Sequence, residues 1–185
     1  MYGLINEAMR RHVVENAGPA AWSSIAMRAE TGQSFAALHY YDDSVTYALV
    51  SAASDVLDTP AEDLLRGFGH YWSTRVGPES YSDILGATGT DVASVLRNLD
   101  EMHARLQSLY PELRPPSFDV VEHDDGLLDV HYRSERVGLV PFVVGLLEGL
   151  GDLYGTPAAV THDAVASNGT DHEVFHVQLL RREAS

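Results

Sequence analysis

At Pro115-Pro116 the chain changes its periodicity, and this constrains the fold more than any other feature. Upstream, apolar residues recur three and four apart; after Ser117 they alternate with polar ones. Residues 2–17 carry Leu4, Ile5, Ala8, Met9 and His12 on one stripe. Gly18-Pro19 ends that helix, and 20–29 forms a short second one. Asp42-Asp43-Ser44 caps a helix over 44–57, with Val45, Leu49, Ala52, Ala53 and Val56 inward. Thr59-Pro60 opens the next, over 61–72. The glycine-rich run LGATGT leads into a long helix from Asp91 to Leu109, and Pro111 and Pro115-Pro116 close this half. Downstream, 117–126 and 127–135 read as a hairpin across Asp124-Asp125-Gly126. A helix follows at 139–153, and a second hairpin turns at Asn168-Gly169. The expectation is an α+β fold, one domain over 1–185: a helical N-terminal half packed against a small antiparallel sheet with a crossing helix.

A chain of 185 residues suits one domain that buries roughly 70% of its unfolded surface. Twelve basic against 27 acidic residues leave a net charge of −15, which makes nucleic acid and anionic membrane poor partners. The apolar run 139–147 stops at Glu148, short of the ~18 residues a membrane span needs. Glu7, Arg10 and Arg11 make the N-terminus an amphipathic helix rather than a signal peptide. A cytoplasmic protein is expected. The absence of cysteine excludes disulfides, thiolate catalysis, iron–sulfur clusters and thiolate-ligated or covalently attached haem.

Three constellations carry chemistry. His172-Glu173-Val174-Phe175-His176 matches the zinc-hydrolase pattern H-E-x-x-H, which needs a helix to bring the two imidazoles together. Val174, Phe175 and Val177 point to a strand instead, where the two histidines stand about 13 Å apart. His103 lies on the apolar stripe of the long helix, four after Leu99 and three before Leu106. It is either a core histidine bonded to a carbonyl or a neutral imidazole ligand for haem iron. The third is HYRSER, at 131–136. If the strand continues, Leu128, Val130, Tyr132, Ser134 and Arg136 share a face that begins apolar and ends in three donors at intervals of about 6.6 Å. Arg136 then pairs with a carboxylate, reaches water, or joins Tyr132 and Ser134 in gripping a multi-oxygen anion such as the haem propionates.

Tyr132-x-Ser134-x-Arg136, with His103 about thirty residues earlier, resembles the H-NOX (haem–nitric oxide/oxygen binding) family. MYGLINEAM, YDDSVTYALVSAASDVL, NLDEMHARL, RPPSFDV and HYRSERVGL extend the likeness to nearly the whole chain. They are similar to the haem domain of soluble guanylate cyclase β subunits and its bacterial relatives. The resemblance implies a non-covalent haem b between the helical half and the sheet, with His103 as proximal iron ligand. It makes Tyr132, Ser134 and Arg136 the propionate clamp, and Pro116 the residue that presses on the macrocycle. Ile5, Trp72 and Phe142 would line the distal side, with Tyr2 and Leu4 close by; plain core packing uses the same residue types.

Oxygen-binding members of the family carry a distal tyrosine shortly after this motif. Here the run is Val137-Gly138-Leu139-Val140-Pro141-Phe142, without a hydroxyl. A buried hydrogen bond to a charged group is worth about 1.5–3 kcal/mol, or roughly 10- to 150-fold in affinity. The resemblance therefore implies a ferrous haem that binds NO and CO and discriminates against O₂, with Trp72 and Tyr2 as the remaining donors. The sequence contains no kinase, cyclase or phosphodiesterase segment. The expectation is a gas sensor rather than an enzyme, signalling in trans to a histidine kinase or diguanylate cyclase by release of His103. The rival readings are a haem or apolar-carboxylate carrier and the zinc hydrolase at His172-Glu173-His176.

Overall fold

The computed structural model describes residues 1–165 and 172–180, and the chain forms two compact units, 1–68 and 69–185. The first is helical. Helix α1 (Gly3–Arg28) is broken at Gly18 (φ 85°, ψ 167°), ahead of Pro19. That left-handed backbone favours glycine, so the expected division into two helices stands. Helix α2 (Asp43–Leu57) starts where the Asp42 side chain accepts from the Ser44 amide at 2.8 Å. Leu49, Ala52 and Ala53 are buried as expected, while Val45 and Val56 are half-buried. The buried Thr46 hydroxyl donates to Asn6 Oδ1 at 2.7 Å. Helix α3 (Ala61–Tyr71) follows and reaches into the second unit.

In the second unit, Trp72–Val76 forms a π-helical turn. Two short helices succeed it, α4 (Gly77–Ser80) and α5 (Ser82–Thr88), where the sequence suggested only a glycine-rich connection. The long helix expected over 91–109 is two helices, α6 (Val92–Arg97) and α7 (Leu99–Leu109). Its break has a local cause. Asp91 and Ser94 form a capping box at the start of α6. Asn98 then leaves helical geometry, and its side-chain amide donates to the Thr88 carbonyl at 2.8 Å.

The sheet holds β1 (Ser117–Glu122), β2 (Leu127–Arg133), β3 (Ala158–Val165) and β4 (His172–Leu179) in the order β1-β2-β4-β3. Every neighbour pair is antiparallel. The crossing helix α8 (Val140–Leu153) lies between β2 and β3 in sequence. Alternation puts Phe118, Leu128, Val130, Tyr132, Phe175 and Val177 on one face, where they pack with α6 and α8 into the core of this unit. The Asn168-Gly169 turn lies outside the described residues.

Candidate functional site

Strand β2 ends at Arg133, so the proposed row of three donors is interrupted. Tyr132 remains on the core face and is buried. Ser134 and Arg136 belong to the following loop, where Ser134 Oγ accepts from the Arg136 amide at 3.0 Å. A serine that binds the backbone two residues on stabilises a turn rather than an extended strand. The Arg136 guanidinium donates to the Arg114 carbonyl at 2.6 Å, which draws this loop to the segment entering β1.

His103 stands on α7, a helix that buries none of its residues fully despite its apolar stripe; Leu109 is 71% exposed. Its imidazole lies 5.8 Å, centroid to centroid, from Phe118, which is 5.4 Å from Tyr132, which is 5.8 Å from Phe175. The start of β1 is tied to α7 by the Phe118 amide, which donates to Asp100 Oδ1 at 2.6 Å. Pro116 immediately precedes this strand and is half-buried. The His103 Nδ1 atom is buried without a hydrogen-bond partner. Burial pushes the imidazole below its ordinary pKa, while the Asp100 carboxylate and the Pro116 carbonyl pull the other way. Nδ1 itself completes no hydrogen bond, although the Pro116 backbone acts on the ring. A neutral imidazole is the form that ligates metal.

Trp72 opens the π turn, and its indole stacks on Tyr81 (6.3 Å, 21° between planes). Phe142 lies in the first turn of α8, half-buried. That turn packs against α3 so closely that a β-carbon on Gly69 would lie 2.1 Å from the Phe142 carbonyl oxygen. Ser73, in the π turn, donates to the Leu146 carbonyl at 2.9 Å. Sequence reasoning missed this contact; Gly69 and Gly149, near the facing helix ends, were its one signal. Tyr2, Leu4 and Ile5 sit in the first unit. Tyr2 is buried in an edge contact with Tyr40, and Leu4 and Ile5 are half-buried on α1.

The H-E-x-x-H run lies on β4, so no helix brings its histidines together. His172 Nε2 instead lies 3.0 Å from His131 Nδ1 on the neighbouring strand. The two nitrogens of His176 face Asp129 (2.6 Å) and Asp163 (3.2 Å), and hydrogen bonding to them, led by Asp129, raises its pKa.

A neutral, unsatisfied imidazole carried on a helix beside a line of aromatic rings is chemistry suited to a haem-binding sensor domain. The Haem-NO-binding family model matches residues 2–162, and the chain belongs to this family, the H-NOX domains. They are haem-based gas-sensor domains and are not catalytic. The soluble guanylate cyclase gcy-35 of Caenorhabditis elegans is 30% identical over 195 residues, covering 100% of this chain and 28% of the cyclase. The curated relatives it matches are longer proteins, of which the chain spans between 16% and 28%. Among solved structures, an H-NOX protein from S. oneidensis in the Fe(II) state superposes with a TM-score of 0.86 at 21% identity, covering 99% of this chain and 98% of that one. An oxygen-binding H-NOX domain, solved as its oxygen complex, gives 0.82 at 14% identity with both chains fully covered. Among the described residues, no helix is long and apolar enough to cross a membrane.

Proposed function

We propose that this chain is a sensor that holds a non-covalent haem b, binds NO and CO in the ferrous state, discriminates against O₂, and signals in trans. The observation that carries the reading is the buried, unpartnered Nδ1 of His103 on a helix whose apolar stripe is not consumed by the protein core. Ferrous haem, when bound, supplies an open coordination position for a diatomic ligand.

The chain's own residues supply the rest. His103 offers a neutral lone pair, kept neutral by burial. Tyr132, Ser134 and Arg136 offer donors to propionate carboxylates. A guanidinium has five N–H donors, one of which Arg136 gives to the Arg114 carbonyl. Pro116, at the foot of β1, is assigned the contact that distorts the macrocycle. Trp72 and Phe142 form the distal wall, with Tyr2, Leu4 and Ile5 assigned there by the family resemblance alone. Phe142 and Pro141 provide no hydroxyl to an oxygen ligand, so bound O₂ lacks the stabilisation a distal tyrosine gives.

Signalling is assigned to α7. If His103 were released from the haem iron it would hold, α7 would be freed except at its first turn, which Asp100 ties to the Phe118 amide. An effector that prefers one of the two positions reads the change. A histidine kinase or a diguanylate cyclase fits that role. The test is an absorption spectrum of the purified, reduced protein, taken anaerobically, in air and under NO. A Soret band that His103→Ala removes and added imidazole restores, with no stable oxy form in air, is expected. A stable oxy complex would overturn the gas assignment, and a wild-type protein that takes up no haem would overturn the whole reading.

A further inference from the structure

The outward face of the sheet carries nitrogen donors that haem binding does not use. His131 on β2 and His172 on β4 bring Nδ1 and Nε2 to 3.0 Å. Their rings are 5.3 Å apart and inclined by 32°. Imidazole nitrogens bind zinc-like divalent ions at about 2.0 Å. Two nitrogens 3.0 Å apart therefore subtend about 97° at a shared ion, a right angle needing about 2.8 Å. A tetrahedral ion would need them about 3.3 Å apart. An angle near 90° is that of neighbouring ligands in tetragonal coordination, which nitrogen and oxygen donors provide for Cu(II) and Ni(II). Asp119 is the cross-strand partner of His131 on the same face. Among the described residues no three His, Cys, Asp or Glu side chains converge on one point. The site is therefore bidentate, with water completing the shell. The net charge of −15 favours cation capture, while the exposed Arg133, two residues along the strand, opposes it locally.

We propose that His131 and His172 form a cis pair of ligands for a tetragonal divalent cation, of which Cu(II) is the best fit and Ni(II) the next. In the ligand-free protein one of these nitrogens donates a hydrogen bond to the other; to bind an ion both must present lone pairs, with the protons on His131 Nε2 and His172 Nδ1, so acid weakens binding. The site is separate from the neighbouring His176 cluster, whose nitrogens are directed at Asp129 and Asp163.

The experiment is calorimetric titration of the full chain with Cu(II), Ni(II) and Zn(II), together with electron paramagnetic resonance of the copper form. One Cu(II) per chain is expected, with an axial signal coupled to two nitrogens and with zinc binding weaker. His131→Gln and His172→Gln should each weaken copper binding by about 100-fold or more, since the second imidazole acts intramolecularly. His176→Gln should leave it unchanged. Circular dichroism confirms that each variant is folded, and neither result depends on haem. Copper affinity unchanged in His131→Gln, or lost in His176→Gln instead, overturns the assignment. So does copper bound through a single nitrogen, or zinc bound more tightly than copper.

Discussion

Removing the Asp100 carboxylate isolates the tie between the helix that carries His103 and the sheet. Its Oδ1 accepts from the Phe118 amide at 2.6 Å across 18 residues of sequence. A hydrogen bond to a charged acceptor contributes about 1.5–3 kcal/mol. An acidic residue in the first turn of a helix adds roughly 0.3–1 kcal/mol. Asp100 is exposed while Phe118 is buried, so the lower end applies. Asp100→Ala should therefore cost about 2 kcal/mol. In a chain of this size that lowers the melting temperature by about 4–8 °C. Asp100→Asn keeps an acceptor without the charge and should cost about half as much. Hydrogen exchange at the Phe118 amide reads the bond directly. Its protection should fall by about 30-fold in the alanine variant if opening is governed by this contact. Unchanged exchange at Phe118, or an asparagine variant as damaged as the alanine one, would refute the reasoning.

Phe175, fully buried, sits opposite Val130 at the centre of the sheet; Phe175→Ala should cost about 3–5 kcal/mol in urea unfolding, with little change in m. Asp91→Ala removes the capping box and should cost about 1 kcal/mol, seen as lost helical ellipticity and a lower midpoint. His12 packs against Phe68 in an apolar setting, and burial lowers its pKa below 6.5, partly opposed by Glu15. The unfolded chain then binds a proton more readily than the folded one. Stability should hold above pH 6.5 and fall as pH drops through that value towards the folded pKa. His12→Gln should flatten this limb of the profile, and equal slopes in both proteins would contradict the assignment.

The architecture was legible where local chemistry is decisive. Gly18-Pro19, Asp42 and the alternation in β2 each specify backbone geometry through near neighbours. The errors fall where partners distant in sequence or turn chemistry decide. Asn98 looks like a tolerated helix residue until its side chain meets the Thr88 carbonyl, although Asn98 followed by Glu101 is itself a helix-start pattern. The π turn and α5 have no periodicity of their own that would reveal them. HYRSER reads as continued strand because alternation alone does not register the Ser134 turn. His103 stood out from the residues as a buried imidazole, but its role entered through the family resemblance. The pairing of His131 with His172 needed strand register, which the sequence does not supply.

Helix α8 has almost no play. Near its start Gly69 admits the Phe142 carbonyl; near its end Gly149 admits His70 and Ser73, and Gly151 admits Thr156 and Ala158. Backbone rests on backbone at both ends of a rod about 21 Å long. A push on Phe142 therefore cannot be taken up by side chains swinging aside. The far end of that rod meets the edge strand β3 at Ala158, so the two ends of the helix are held by main chain rather than by side chains.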